Sequence, residues 1–438
     1  MTNSIDHNSS AFSDRRSRLM RSLHGGAIII ASGHNSPRNN DVDYEFRQNS
    51  SFWYLTGFEE PDSVAVLRPG CPDEYILFLQ PYDPQFEIWV GHRVGIEGAA
   101  ALGVNRALPI SELEDQLPKL LEDIDTVYYS IGSDQVLDTF VTNLVQRRRS
   151  LSQRGGTPLL TICDPTPTID NMRLIKSDSE IESLQSAIDI TNRGFEAAMN
   201  VTKPGIYEYQ VQSEMESHFR RLGSERNGYP SIVASGHNSC ILHYVKNREQ
   251  LKSGDLLLID AGAEYEYYTA DITRTWPVNG KFSPEQKSIY ELVLEAQKQS
   301  ILAIAPGKEF NDVHLASLRV LVQGLIDLKI LTGALDGLIE DRAYLPYYMH
   351  GTSHWLGLDV HDAGQYREED HSVTLKPGMV FTVEPGLYFG SQAKDTPEAF
   401  KGIGIRIEDN VLVTTDSYSV LSKRIPSSVS DIEGLVGI

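Results

Sequence analysis

LLLIDAGAEYEYYTADITRTWPV, residues 256–278, drives four apolar residues into Asp260 and, eleven positions later, sets Asp271 inside a second strand-like segment. Along a strand, alternate side chains share a face, so Leu256, Leu258 and Asp260 point one way, as do Asp271, Thr273 and Thr275. A hairpin built from the two runs turns both aspartates toward one concave surface. A carboxylate taken out of water is costly unless it is paired, hydrogen-bonded or bound to a metal, so the surrounding residues must supply a partner.

Two later stretches repeat the arrangement. VFTVEPG puts Glu384 on the face of Thr382, and GIGIRIED puts Gly404, Arg406 and Glu408 opposite Ile403, Ile405 and Ile407. Each acid has an ordinary explanation alone: Asp260 capping the AGAEY turn, Asp271 or Glu408 facing solvent, Glu384 pairing with Arg406. Together, four acids at the ends of apolar strands repel one another unless concentrated positive charge lies between them, and Arg406 is the one cation placed among them. MHGTSHWLGLDVHD adds His350, His354 and His361, and SCILHY adds His243. A single histidine is more often a satisfied core or surface residue, and spacings of four and seven do not by themselves mark a ligand. A mostly carboxylate set with one imidazole suits Mn²⁺, Mg²⁺, Co²⁺ or Fe²⁺ better than zinc, and bridging carboxylates can hold two ions about 3.5–4 Å apart.

Composition narrows the partners. The 438-residue chain is 40% hydrophobic and 23% charged, with a formal charge of −21. That balance belongs to a globular protein of two or three domains, and the charge repels nucleic acid and anionic membrane surfaces. Cys71, Cys163 and Cys240 form no CxxC pattern and point to a reducing, cytoplasmic setting. Arg15-Arg16 hints at a twin-arginine export signal, but the AIII run that follows is too short for its apolar core.

Along the chain, Asp14–Leu23 reads as a short helix. GGAIIIASG, SFWYLTGF, SVAVLRP, EYILFLQP and DTVYYSIG read as strands, with a helix in SELEDQLPKLLEDI. This makes residues 1–172 an α/β domain. Ser177 and Glu180 have capping-box spacing before the apolar stripe Ile181, Leu184, Ile188 and Phe195, so a long helix opens the second domain, 173–438. Helical patterns there (QVQSEMESHFRRLG, PEQKSIYELVLEAQKQSILAI, FNDVHLASLRVLVQGLIDL) alternate with hairpin strands, which predicts α+β with a curved, mostly antiparallel sheet.

With these residues in hand, LLIDAGAEYEYYTADITRTWPV, MHGTSHWLGLDVHD, TVEPGLY and GIRIED together closely resemble the Xaa-Pro aminopeptidases (aminopeptidase P), members of the pita-bread metallopeptidases. RQNSSFWYLTGFEEP resembles the family's amino-terminal domain and PSIVASGHNSCILHY its catalytic domain, so the likeness spans nearly the whole chain. The resemblance implies that Asp260 serves one metal, Asp271 and Glu408 bridge two, and His354 with Glu384 serve the other, with two Mn²⁺ as the usual pair. It implies that Glu384 takes and returns a proton, that His243 and His361 contact substrate, and that His350 shapes the site. Thr273 and Arg406 fit a role orienting the ligands, Tyr388 and Tyr229 line the pocket, and Asp41 and Arg154 match first-domain residues that reach toward it. Trp89 matches a tryptophan closing a neighbouring subunit's site, which implies a homo-oligomer, a tetramer or a dimer.

The implied substrate is a peptide with proline second, cut before that proline. Between His361 and Pro377 the chain is one residue longer than the family pattern and lacks its arginine, leaving Arg367 as a substitute and peptide length open. A prolidase-like dipeptidase is therefore the neighbouring reading. A metal-free module that holds peptides without cutting them is the reading from another class.

Overall fold

The computed structural model describes residues 5–152 and 161–436. The chain divides into two compact units, Met1–Ile169 and Asp170–Ile438.

The first unit is built on a six-stranded sheet in the order Arg106–Pro109, Tyr75–Leu79, Val64–Leu67, Ala27–Ala31, Thr126–Tyr128, Thr161–Cys163. The central strands are buried along their length because helices cover the sheet, with Leu117, Leu120 and Val141 packing on Ile29, Val66, Ile76 and Val127. The opening helix runs Ile5–Ser22, longer than the sequence suggests. SFWYLTGF corrects the sequence reading outright, because it is a helix, Ser50–Thr56. Its aromatic run favours strand, but the ends decide: the Asn49 side chain accepts from Phe52 N at 3.0 Å, and Gly57 closes the helix at φ 64°. Phe52, Trp53, Tyr54 and Leu55 are all buried, so the segment needs no polar face.

In the second unit every strand pair among the described residues is antiparallel. Ile232–Ser235, Leu256–Ala261 and Ile272–Pro277 form one sheet and Val380–Val383, Asp409–Val413 and Tyr418–Val420 another, while Gly386–Tyr388 pairs with Gly404–Arg406. The helix Asp178–Val201 opens with the expected Ser177/Glu180 capping box and packs on Glu208–Arg221, and Pro284–Leu302 packs on Phe310–Asp327. Apolar side chains of the second helix pair, Ile301 and Val313, meet Trp355, Phe381, Val383 and Val411. The two units thus pair an α/β fold with an α+β fold.

Strand and helix layers leave the acid-bearing strand ends to be braced by polar contacts. Arg274, 1% exposed, donates from Nη2 to Asp409 Oδ1 at 2.7 Å, from Nε to Pro426 O and from Nη1 to Thr273 O, tying the Ile272–Pro277 strand to Asp409–Val413. Asp409 also accepts from Ser422 Oγ and Gln297 Nε2. Among the described residues no helix is long and apolar enough to cross a membrane.

Candidate metal centre

Antiparallel register brings the acids together. Asp260 pairs with Thr273 across the hairpin, and Glu408 N donates to Thr273 O at 3.0 Å, so strand ends from three parts of the sequence converge. The hairpin closes tightly because residue 262 is glycine: a Cβ there would lie 1.7 Å from Ala270 O. Asp271 is held by its own backbone, its N–H donating to Asn410 Oδ1 at 3.2 Å. His354 is pinned beside Val380–Val383, where its N–H reaches Thr382 Oγ1 and its carbonyl accepts from Thr382 N, while Glu384 N donates to Thr352 O.

One cavity of ≈ 570 Å³ collects Asp260, Asp271, Glu384, Glu408, Arg406, Tyr229, His243, His350, His354 and His361. Leu242, Val245, Val360 and Ile232 form its apolar wall, which sequence reasoning left out although Leu242 and Val245 flank His243. Ligand atoms of Asp271, His354 and Glu408 all lie within 4.8 Å of one another.

The electrostatics call for a cation. Burial first, and Asp260 second, raise the Asp271 carboxyl well above its ordinary range. Burial and Glu408 do the same to Glu384, and burial with Asp271 and Asp260 to Glu408. Arg406 answers one acid, with Nη2 2.5 Å from Asp260 Oδ2, and stays protonated: burial works against its charge, but Tyr388, Asp260, Glu384 and Glu408 outweigh it. His354 faces Trp355 O through Nδ1 at 3.1 Å, so that nitrogen carries the proton. In the neutral ring Nε2 then presents a lone pair to Asp271 Oδ2 at 3.2 Å and Glu384 Oε1 at 3.6 Å. With those carboxyls ionised, acceptor would meet acceptor there, which is the donor arrangement that fits a divalent ion between them.

The supporting residues form a chain. Arg406 Nε donates to Thr273 Oγ1 at 3.1 Å, and Thr273 donates on to Glu408 Oε2 at 2.7 Å. Arg406 Nη1 donates to Tyr388 OH at 3.0 Å, and that hydroxyl meets His350 Nε2 at 2.8 Å. His350 Nδ1 reaches Gly351 O at 2.7 Å, so both ring nitrogens are engaged. Burial, then Arg406, push its pKa down to about 3, which keeps the ring neutral. Tyr388 is buried and absent from the cavity lining, so it serves Arg406 and His350 instead of the pocket surface. Tyr229 does line the cavity, yet its hydroxyl lies 2.6 Å from Asp260 Oδ1 and 2.5 Å from Asp271 Oδ1, one phenolic proton shared by two carboxylates. Sequence spacing gave no sign of that contact.

His243 and His361 make no side-chain hydrogen bond among the described residues, which leaves their ring nitrogens to the cavity. Burial, then His354 and His243, lower the His361 pKa. The loop bearing His361 is fixed by its neighbour Asp362, bound by Arg173 Nη2 at 2.6 Å and Lys176 Nζ at 2.9 Å. Arg367 donates to Asp370 O and lines a separate cavity. Asp41 and Trp89 lie in the first unit, both exposed, and Arg154 falls outside the described residues.

Tyr388→Phe should leave Arg406 and His350 each short of a partner. We expect kcat/KM to fall about 10- to 100-fold with a parallel loss of metal affinity, as other partners of ligating groups do. Steady-state kinetics alongside metal titration checks this, and a change below twofold in both would show that the hydroxyl is idle.

Residues 182–415 match metallopeptidase family M24, and residues 12–128 match the aminopeptidase P N-terminal domain. The chain is 44% identical to the Xaa-Pro aminopeptidase of Haemophilus influenzae, covering 97% of this chain and 96% of the relative, and 42% identical to that of Escherichia coli, covering 97% of each. The structure of Pseudomonas aeruginosa aminopeptidase PepP superposes with a TM-score of 0.95 at 42% identity, over 98% of this chain and 97% of that one. Zinc-substituted Escherichia coli aminopeptidase P, solved with its product, gives a TM-score of 0.94 at 42% identity, over 98% of both chains. With both parts of the chain matched and whole-length relatives at these identities, the chain belongs to metallopeptidase family M24 as a metal-dependent aminopeptidase of the Xaa-Pro aminopeptidase group.

Proposed function

We propose that the enzyme releases the first residue of peptides whose second residue is proline. In this reading Asp260, Asp271, His354, Glu384 and Glu408 hold two divalent cations, with Mn²⁺ the candidate pair. The observation that carries the reading is the convergence of three buried acids, the partly buried Glu384 and the Nε2 face of His354 around a space that one arginine cannot neutralise. When bound, the ions supply Lewis acidity and make a water nucleophile available near neutral pH.

The chain's own residues account for the rest. Glu384, whose carboxyl is pushed up by burial and by Glu408, is suited to take a proton from the attacking water and hold it. Proline nitrogen in a peptide is a tertiary amide with no N–H, and it must gain a proton before it can leave. Glu384 returns its proton to that nitrogen. His243 and His361, with ring nitrogens free, donate to the substrate carbonyl as negative charge develops on its oxygen. Leu242 and Val245 offer the apolar surface that a proline ring requires. His350 holds the Tyr388–Arg406 chain in place and takes no part in proton transfer, because neither nitrogen is free.

Hydrolysis of Xaa-Pro-Yaa peptides against Xaa-Pro dipeptides, with metal content measured in parallel, tests the proposal. We expect the longer peptides to be cut; turnover of dipeptides alone would select a prolidase-like enzyme, and peptide binding without turnover by metal-loaded protein a binding module. The three free cysteines support a cytoplasmic setting. The exposed row Phe86, Ile88, Trp89 and Val90 supports a homo-oligomer, with a tetramer or dimer expected by light scattering and a smaller species for Trp89→Ser.

The acids also set a pH dependence. Asp271, Glu384 and Glu408, raised by burial and mutual repulsion, keep protons in the metal-free fold that the unfolded chain has already released. Their penalty is absent below the unfolded carboxyl range near about pH 4 and grows as pH climbs through it toward the raised values. A cation binds the ionised forms and releases those protons, so its affinity rises with pH. Thermal unfolding with and without chelator should therefore show the metal-free Tm falling between about pH 5 and pH 8 while the gap to the Mn²⁺-loaded protein widens. A gap independent of pH would remove these carboxyls from the binding set.

A further inference from the structure

Glu208 opens the helix Glu208–Arg221, and its carboxylate is fully buried. Five donors meet it. Oε1 accepts from Ser235 N at 2.7 Å, Ser235 Oγ at 2.8 Å and Asn238 Nδ2 at 3.1 Å, and Oε2 accepts from Tyr244 OH at 2.8 Å and Glu249 N at 2.9 Å. All five come from one segment, residues 235–249, which leaves the strand Ile232–Ser235, passes through the 3-10 turn Gly236–Cys240 and carries Leu242, His243 and Val245 to the cavity wall. No helix or strand follows the turn before Leu256–Ala261; besides the Glu208 carboxylate, the segment is tied by Glu208 N to Glu249 O and by Asn247, which accepts from Val233 N and donates to Ser231 O, both toward the segment's far end and away from His243. Tyr244, adjacent to His243, keeps its proton for Glu208, its pKa pushed up to about 12 by burial and by that carboxylate. The ring packs on Ile232, Ala234 and Leu258, the last of these on the strand that carries Asp260.

We infer that Glu208 is a positioning residue for catalysis: one buried carboxylate gathers the two ends and the middle of the 235–249 segment and so fixes His243 and its apolar neighbours against the substrate. A buried anion with a full set of donors is a rigid clamp, because leaving any donor unpaired is costly. Displacing a substrate-contacting group by about 1 Å is enough to cost on the order of 100-fold in rate. This inference rests on the proposed role of His243.

The test is Glu208→Gln, which keeps the shape and turns an amide N–H₂ toward donors. We expect metal content unchanged and amide hydrogen exchange at Ser235 and Glu249 faster by about 10- to 100-fold, with the Leu256–Ala261 strand still protected. We expect kcat/KM to fall about 10- to 100-fold, yet only about twofold further when His243→Ala is already present. Equal loss of protection in the strand, lost metal, or the same factor in both backgrounds would overturn the positioning role. Should Glu208→Gln not fold, Tyr244→Phe removes a single donor and carries the same comparison. If His243→Ala itself keeps full activity, the role of His243 falls, and the exchange pattern still decides whether Glu208 clamps the segment.

Discussion

Asp271→Asn is expected to lose bound metal and activity together, with kcat/KM falling by roughly a thousandfold or more. The carboxylate lies 3.2 Å from His354 Nε2 and within ligand reach of Glu408, so no neighbouring oxygen can take its place without moving a strand end. The same substitution should stabilise the metal-free protein near neutral pH. An asparagine carries no charge for burial and Asp260 to penalise, whereas the native carboxyl is pushed up by both. Opposite signs in the two states make the test sharp: chelated Asp271→Asn melts above chelated wild type, and added Mn²⁺ raises the wild type alone. Metal retained at full stoichiometry with activity within tenfold would show that Asp271 is not a ligand. Glu408→Gln should follow the same pattern, its amide oxygen still able to accept from Thr273 Oγ1.

Asp409→Ala should strongly destabilise the fold, although Asp409 is outside the proposed ligand set and the cavity lining. Among the described residues the change leaves the buried guanidinium of Arg274 with backbone carbonyls alone, takes the acceptor from Ser422 Oγ, and leaves Gln297 Nε2 only the longer bond to Val383 O. Breaking a buried ion pair from one side costs about 3–5 kcal/mol, which is a fall in Tm on the order of 10 °C for a unit of this size. Asp409 adjoins Glu408, and Arg274 lies three residues beyond Asp271. Loss of stability should therefore come with weakened metal binding. Replacing both partners by apolar residues, Arg274→Met with Asp409→Leu, should recover much of the loss, since no charge is then stranded. Calorimetry of the single and double variants checks both statements.

The strand carrying Asp260 and the one that follows Asp271 were legible because the alternation of side chains along each run marks a strand. The capping box at Ser177 was legible for the same local reason. Ser50–Thr56 was misread because its composition is that of a strand while Asn49 and Gly57, the residues that decide, stand outside the run. Contacts distant in sequence were out of reach. Tyr229 meets Asp260 and Asp271 across 31 and 42 positions, and Arg274 meets Asp409 across 135. A single sequence holds no record of which strands become neighbours, so the acids could be gathered by electrostatic argument and resemblance while their partners could not.

The close approach at Gly262 says something about how this site can be altered by insertion and deletion. Asp260 and Asp271 are locked to each other by the register Asp260↔Thr273, and the turn between them has a backbone oxygen where any side chain on residue 262 would go. One residue added within the paired stretches 263–265 or 268–269 would slip the Glu264↔Thr269 pairing between the aspartates and turn one acid away from the shared face. The length of the hairpin is thus as much a part of the candidate metal centre as its two aspartates, and libraries meant to retune the enzyme should vary residue identity there and keep its length.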